Sequence, residues 1–564
     1  MRLRCRKAVR HVAGGAANGK RAGRPCIRTI RAGHLWRMPV ALTLQPQSKR
    51  GERVAAAERP VGMIDHVTNL SDFIWAGRWE GEEVLPFPPM VIVLFGIGLW
   101  VMVGLRFYPV VKLGSAFAGL FKGRKGEGAG EISPFAALST ALSGQVGTGN
   151  LAGVATAIAL GGPGAVFWMW ITALIGMALA FAEGSLAIRY RERTSDGVYR
   201  GGPMSYIMLG LGRKWTWLAV LFCLGTLFSA LVTGNSIQSN AVADGLNELF
   251  GIEEWLGGLI TAVLVFVVII GGIKSIGNFA EKVVPFMAGA YVLMAAIAIL
   301  LNIGDIPETF ARIFGGAFSA QSASGGFVGA AMIMAIRAGV ARGLFSNEAG
   351  QGSTPIAHAV AQTDDPEQQG RMAMLGTFID TIIICTMTAL VILTVQGEFT
   401  GGGAVVEHAW QSDLTGFAMT SGAFAAAFPL AVAGIPIGTL IASVALILFV
   451  FTTLLTWSYY GERAITYLYD LLPSSSLKGE ERLHFLWRIT WCFVIFLGSF
   501  APLELVWRLG DISNAAMTLP NIIGLLALSG VVFALAKGNR AAGTDHGRET
   551  PQELLEEVTG APGH

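Results

Sequence analysis

Long apolar runs, separated by short polar or basic stretches, dominate the chain from residue 88 onward. A helix crosses a bilayer core with about 20 mostly apolar residues. Eleven segments meet that measure: 88–110, 134–159, 164–190, 216–246, 256–273, 279–302, 325–345, 371–396, 436–468, 485–502 and 512–536. Composition points the same way. Of 564 residues, 53% are apolar and only 14% charged, against roughly 25% charged in a soluble domain. A chain this poor in polar groups cannot cover its own surface, so lipid must take that role. The pattern predicts an all-α membrane protein with about 11 transmembrane helices.

Positive charge in short loops sets orientation, because Lys and Arg are retained on the cytoplasmic side. Lys112, Lys122, Arg124 and Lys125 follow the first segment, and Arg189, Arg191, Arg193, Arg200, Arg213 and Lys214 follow the third. Loops of the opposite parity carry few positive charges, and 397–435 carries none. This predicts a cytoplasmic C-terminus, with 537–564 as its tail, and an outside start to the first span. Residues 1–62 conflict with that start, since they hold 15 Lys and Arg against two acids. They contain no uninterrupted apolar stretch of the signal-peptide kind. The segment 1–62 therefore reads as a disordered or mis-assigned basic extension, with translation starting near Met63 and 63–87 lying outside. No nucleic-acid partner is inferred from it.

Two spans look interrupted. The second, SPFAALSTALSGQVGTGNLAGVATAIAL, clusters Gly144, Gly147, Gly149 and Gly153 beside Gln145, Thr148 and Asn150. Glycine in a helix interior costs up to about 1 kcal/mol, and irregular backbone at membrane depth survives only where it lines a cavity. A close helix-packing face of small residues is the alternative. The seventh, GGFVGAAMIMAIRAGVARGLFSNEAGQGSTP, puts Arg337, Gly339, Arg342 and Gly343 within or near the hydrocarbon. An intramembrane charge is usually paired or functional. Glu348 is one candidate partner, and snorkelling to the interface is the other possibility. The two segments lie five spans apart and cross in opposite senses. That arrangement is the mark of an inverted repeat with a midplane site: 134–302 and 325–536 as halves, with 88–110 as an extra leading helix.

Further polar residues sit at membrane depth: Asn235, Gln238 and Asn240 in the fourth span, and Thr452, Thr453, Thr456 and Trp457 in the ninth. Thr452 and Thr453 offer adjacent hydroxyls to a hard cation, which prefers oxygen. The cysteines inside the spans, Cys223, Cys385 and Cys492, show no CxxC spacing and read as single thiols. No HExxH, GxSxG or GxxxxGK occurs, and GTGNLAG follows no strand, so enzymatic chemistry has no visible site. A channel lined by glycine carbonyls is the rival from another class, and the inverted pair of breaks favours a transporter.

The stretch GGPGAVFWMWITALIG at 161–176, extended by SGQVGTGNLAGVATAIAL, GVYRGGPMSYI and GVARGLFSNEAGQGSTPIAHA, resembles the alanine/glycine:cation symporter family over residues 65–540. The resemblance implies a ten-helix inverted-repeat core of the amino acid–polyamine–organocation superfamily in the bacterial inner membrane. It implies uptake of a small neutral amino acid coupled to Na+. By position in the motifs, sodium would take the carbonyls of Ser143 and Val146 and the hydroxyls of Thr452 and Thr453. The substrate carboxylate would meet Gly147, Thr148, Gly149 and Asn150, and its ammonium the carbonyls from Ile336 to Gly339. Gln238 would form a polar wall, and Trp457 would limit side-chain size. A second sodium beside Asn150 lacks a visible ligand set, and coupling to protons through Glu183 or Asp380 stays open. The sequence leaves oligomeric state and the ranking of alanine, glycine and serine undetermined.

Overall fold

The computed structural model describes residues 63–543 except 86, 194–196, 319–327 and 474. The basic extension 1–62, the start of the seventh expected span and the tail beyond 543 lie outside the described residues. With no water in the hydrocarbon, backbone N–H and C=O groups must pair within their own segment, and the apolar runs do so as helices. Five described helices are long and apolar enough to cross a bilayer: Gly164–Arg189, Arg213–Phe250, Gly272–Leu301, Pro366–Thr394 and Ile437–Asp470. A sixth candidate is the pair Glu504–Ala527 and Ser529–Leu535, bent by 63°. Pro89–Gly104, Pro134–Gln145, Glu254–Ile269, Val328–Asn347 and Leu477–Gly498 stand where the apolar pattern predicts the other spans.

Local chemistry sets several boundaries. Ser133 caps its helix by accepting the Ala136 N–H at 3.0 Å, with Pro134 at the first helical position. Asp365 caps Glu367 and Gln368 in the same way ahead of Pro366. Gly162, at φ +68°, turns the chain before Pro163, and Gly164 then opens a 26-residue helix. That helix is buried along nearly its whole length and packs against Pro366–Thr377, Val328–Asn347 and Pro89–Gly104. The peripheral helices instead expose large apolar side chains such as Val267, Phe286 and Phe493. A water-facing surface does not tolerate such a belt, and a lipid-facing one requires it.

The structure adds elements that the apolar pattern does not contain. Residues 397–435 are not an open loop. They hold an antiparallel hairpin, Gln396–Gly401 with Ala404–His408, and the helix Gly416–Ala427. Phe167 packs edge-on against Phe314 and Phe318 of the helix Ile306–Phe318, with ring centroids 5.8 and 4.8 Å away. Among the described residues, three stretches are wound as π-helix: Gly149–Gly153, Ala230–Ser236 and Phe378–Cys385. Such bulges recur at functional sites.

The seventh expected span departs from its reading. Val328–Asn347 is one continuous helix, so the carbonyls of Ile336 through Gly339 are committed to N–H groups one turn on. Gly339 serves packing, because a Cβ there would lie 2.3 Å from the Ala165 carbonyl oxygen. The interruption comes about ten residues later, where Glu348, Gly350 and Gly352 take φ of +54°, +81° and +87°. The arginines also differ from expectation. Arg337 pairs with Glu83 at 3.0 Å, and Arg342 lies 5.0 Å over the Trp507 ring. The Glu348 oxygens accept instead from Trp457 and Ser353.

Candidate substrate and cation site

The chain leaves the α-helix at Val146 (φ −77°, ψ 96°) and re-enters helix through the π turn at Gly149. The N–H groups of 147 and 148 are thereby freed from the helical ladder, and the side chains of neighbouring Asn150 and distant Gln238 satisfy them. The Gly147 N–H donates to Asn150 Oδ1 at 2.9 Å, and the Thr148 N–H to Gln238 Oε1 at 3.4 Å. Gln238 is held in turn by donating to the Thr233 carbonyl at 3.2 Å. Only glycine fits at 147, where a Cβ would approach Thr453 Oγ1 to 2.7 Å and Gln238 Oε1 to 3.2 Å.

Among the expected sodium ligands, Val146 and Thr453 come together. Thr453 Oγ1 lies 3.2 Å from the Val146 carbonyl oxygen and 3.0 Å from that of Phe449. Thr452 shares the Phe449 carbonyl, donating to it at 2.9 Å, and has Met287 Sδ 3.7 Å away. The Ser143 hydroxyl donates to the Thr140 carbonyl at 2.7 Å and meets Thr456 Oγ1. Thr456 thus joins this cluster although motif position did not select it. Among the described residues, no three His, Cys, Asp or Glu side chains gather as a metal centre.

The second interruption closes the other side. Gln145 donates to the Asn347 carbonyl at 2.6 Å, which ties the two broken segments directly. Trp457 donates its indole N–H to Glu348 Oε1 at 2.9 Å, and Ser353 donates to Oε2 at 2.5 Å. Ile336 and Gly339 lie on the continuous helix and are not brought to this centre by their carbonyls. Residues 346–353 take their place. Glu183, fully buried, accepts the N–H groups of Gly350 and Gly352 at 3.2 and 2.9 Å and the Asn521 amide at 2.7 Å. The signal for this loop was present in the sequence as NEAGQGS, a glycine cluster directly after the helix.

Gly147, Gly149, Gln238, Phe345, Glu348 and Trp457 enclose a cavity of about 10 Å³, room for about one water. The lining must separate to admit anything larger. Phe345 and Gln351 also border a wider vestibule of about 220 Å³, which Arg337, Arg342, Arg508 and Asp511 line. Its outer wall includes the helix Met63–Ala76, where Trp75 donates to the Asp511 carbonyl at 2.8 Å and Asp72 pairs with Arg508. Arg337 holds the exposed Glu83 carboxyl below its usual range. At the far end of Gly164–Arg189 the protein is shut by charge. Arg200 pairs with Glu192 at 3.3 Å and with Asp470, and Arg191 with Asp364 at 2.9 Å. Burial pushes the Glu192 carboxyl up, with Arg200 opposing.

Membrane-length helices, an occluded polar centre built on two chain interruptions, a vestibule at one end and ion pairs at the other define a membrane transporter. The structure of MhsT in complex with L-phenylalanine has a similar fold, with a TM-score of 0.50 at 12% identity over 72% of this chain and 89% of that one. The chain belongs to the sodium:alanine symporter family, whose model matches residues 79–551. It is 41% identical to the sodium/alanine symporter AgcS of Methanococcus maripaludis, over 84% of this chain and 96% of that one. It is 42% identical to an uncharacterized transporter of Haemophilus influenzae, over 83% and 94%. The motif resemblance is therefore family membership, and the protein is an amino acid symporter, not an enzyme.

Proposed function

We propose that the protein is a sodium-coupled symporter that imports small neutral amino acids, alanine and glycine foremost, by alternating access. The observation that carries this reading is the approach of Thr453 Oγ1 to the Val146 carbonyl beside the freed backbone of Gly147 and Thr148. Carbonyl and hydroxyl oxygens suit a hard cation, and freed N–H groups suit a carboxylate. Sodium binds between 143–146 and Thr452/Thr453. The substrate carboxylate is taken by Gly147, Thr148, Gly149 and Asn150; Thr148 Oγ1 is buried without a hydrogen-bond partner. Gln145 Oε1, likewise buried and unpartnered, and the 346–353 segment take the ammonium. Gln238 and Trp457 bound the side-chain space, with Trp457 pressed on Gly234.

The fold carrying this site is read as one leading helix and two inverted halves, 134–302 and 325–536. The first span starts outside and the chain ends in the cytoplasm. Inward passage follows when sodium and substrate together stabilise both interruptions and the ion pairs at the inner end part. By linkage, sodium tightens alanine binding by the factor that alanine tightens sodium. Uptake of labelled L-alanine into liposomes under sodium, potassium or proton gradients tests the reading. Concentrative uptake requiring sodium is expected. Uptake driven equally by protons overturns the ion, and no uptake under any gradient overturns the function.

A further inference from the structure

The vestibule outside the central cavity is a charged chamber, and its charges do not all cancel in pairs. Arg78 and Arg337 share the Glu83 carboxylate at 3.4 and 3.0 Å, and Arg508 pairs with Asp72. Two charged groups of the lining remain: Arg342 from Val328–Asn347 and Asp511 from Leu503–Ala527. Among the described residues, neither has an opposite charge within ion-pair distance. Arg342 acts on Asp511 electrostatically across the chamber, as does Arg508 from its pair with Asp72, yet Arg342 and Asp511 do not close on one another.

Each of the two is held in place by something other than a counter-charge. The Arg342 guanidinium lies 5.0 Å from the centroid of Trp507 and 5.9 Å from that of Phe345, and those rings pack 5.1 Å apart. Aromatic faces hold a guanidinium by its plane and leave its N–H edge for a planar anion. That edge fits a carboxylate with two parallel hydrogen bonds. Asp511 is fixed by the helix Met63–Ala76: its Oδ2 accepts the Ser71 hydroxyl at 3.2 Å, and its carbonyl accepts the Trp75 indole at 2.8 Å. A neutral hydroxyl does not balance a carboxylate. The chamber that Arg342 and Asp511 line holds about 220 Å³, against about 10–15 Å³ for one water.

We propose that the vestibule is a docking subsite for the amino acid as a zwitterion, its carboxylate on Arg342 and its ammonium on Asp511. The inference rests on the amino acid reading above and adds a station before the central site. Phe345 and Gln351 border both the vestibule and the central cavity. A docked molecule is therefore one layer of side chains away from the N–H groups of Gly147 and Thr148. The subsite asks for both charges at once: an acid without an ammonium leaves Asp511 unbalanced, and an amine without a carboxylate leaves Arg342 so. Because it carries its own counter-charges, docking needs no sodium.

The test has two parts, both on the full chain. In a background without native cysteines, alanine in sodium-free potassium medium should slow modification of Ala341→Cys by a membrane-impermeant thiol reagent. Alaninamide and propionate, which carry one charge each, should not, and adding Arg342→Gln should abolish the protection by alanine. In sodium-driven uptake by liposomes, Arg342→Gln and Asp511→Asn should each raise KM for alanine about tenfold. The kcat should stay within about twofold, a loss of binding without loss of turnover. Arg342→Lys, which keeps the charge, should recover most of the KM. If Arg342→Gln fails to fold, Asp511→Asn decides. An unchanged KM, or a fall in kcat alone, overturns the subsite, as does the absence of sodium-independent protection by alanine. Equal protection by alaninamide or propionate overturns it as a zwitterion site. Absence of any amino acid uptake by wild type overturns the underlying function instead.

Discussion

Trp457 and Glu348 lie 109 positions apart, and the indole N–H of one donates to the carboxylate of the other at 2.9 Å. Glu348 is the first left-handed residue after Val328–Asn347, so this bond fixes where the second interruption begins. The indole is held from behind by Gly234, where a Cβ would lie 2.4 Å from Trp457 Cγ. Gly234→Ala should therefore displace the ring, break the bond to Glu348 and lower sodium-dependent alanine uptake about tenfold or more. Trp457→Phe keeps the ring and deletes the donor. It should cost about 1–3 kcal/mol in stability, read as a lower unfolding midpoint in detergent.

The two adjacent threonines should not behave alike. Both hydroxyls bond the Phe449 carbonyl, but Thr453 also reaches that of Val146, whereas Thr452 has Met287 Sδ beside it. Thr453→Ala should raise the half-saturating sodium concentration about tenfold, and Thr452→Ala should raise it less. Equal effects in a sodium titration of uptake would argue against the arrangement seen here.

Gly147 tolerates no side chain. Gly147→Ala forces its methyl against Thr453 Oγ1 and Gln238 Oε1, an overpacking penalty of about 1–3 kcal/mol. Alanine binding should weaken about tenfold while the purified protein stays folded by circular dichroism.

Orientation can be read by labelling. In a background without native cysteines, Ala341→Cys lines the vestibule and Gln362→Cys lies in the polar cleft with Lys125 and Arg540. A membrane-impermeant thiol reagent added to whole cells should modify the first and spare the second. The reverse pattern would invert the topology.

Much of the centre was legible because interrupting a membrane helix requires particular residues. Gly147 and Gly149 beside Gln145 and Asn150 mark the first interruption at the position where the helix stops. The second was misplaced for a physical reason: glycine serves both close packing and backbone freedom, and composition does not separate them. Gly339 and Gly343 let the helix lie against Ala165 and Thr172, while Gly350 and Gly352 carry the left-handed backbone. The π-wound stretch at Phe378–Cys385 has no compositional signal at all. Asp380 could be named as a buried carboxylate, but its pairing with Asn150 spans 230 positions and no local pattern encodes it. The Thr452 and Thr453 hydroxyls were found together by type, and only the structure shows that both bond the Phe449 carbonyl while Thr453 also reaches Val146.

The hold of Glu183 on Gly350 and Gly352 also limits how the machine can move. Its three hydrogen bonds join Gly164–Arg189, the 348–353 loop and, through Asn521, the helix Leu503–Ala527. Breaking them at membrane depth would strand a carboxylate and two N–H groups in a medium that offers no replacement. These three pieces therefore travel as a single rigid lever. The bending of a transport stroke falls to the hinges that the winding already loosens, at Val146 and the π turns of Ala230–Ser236 and Phe378–Cys385.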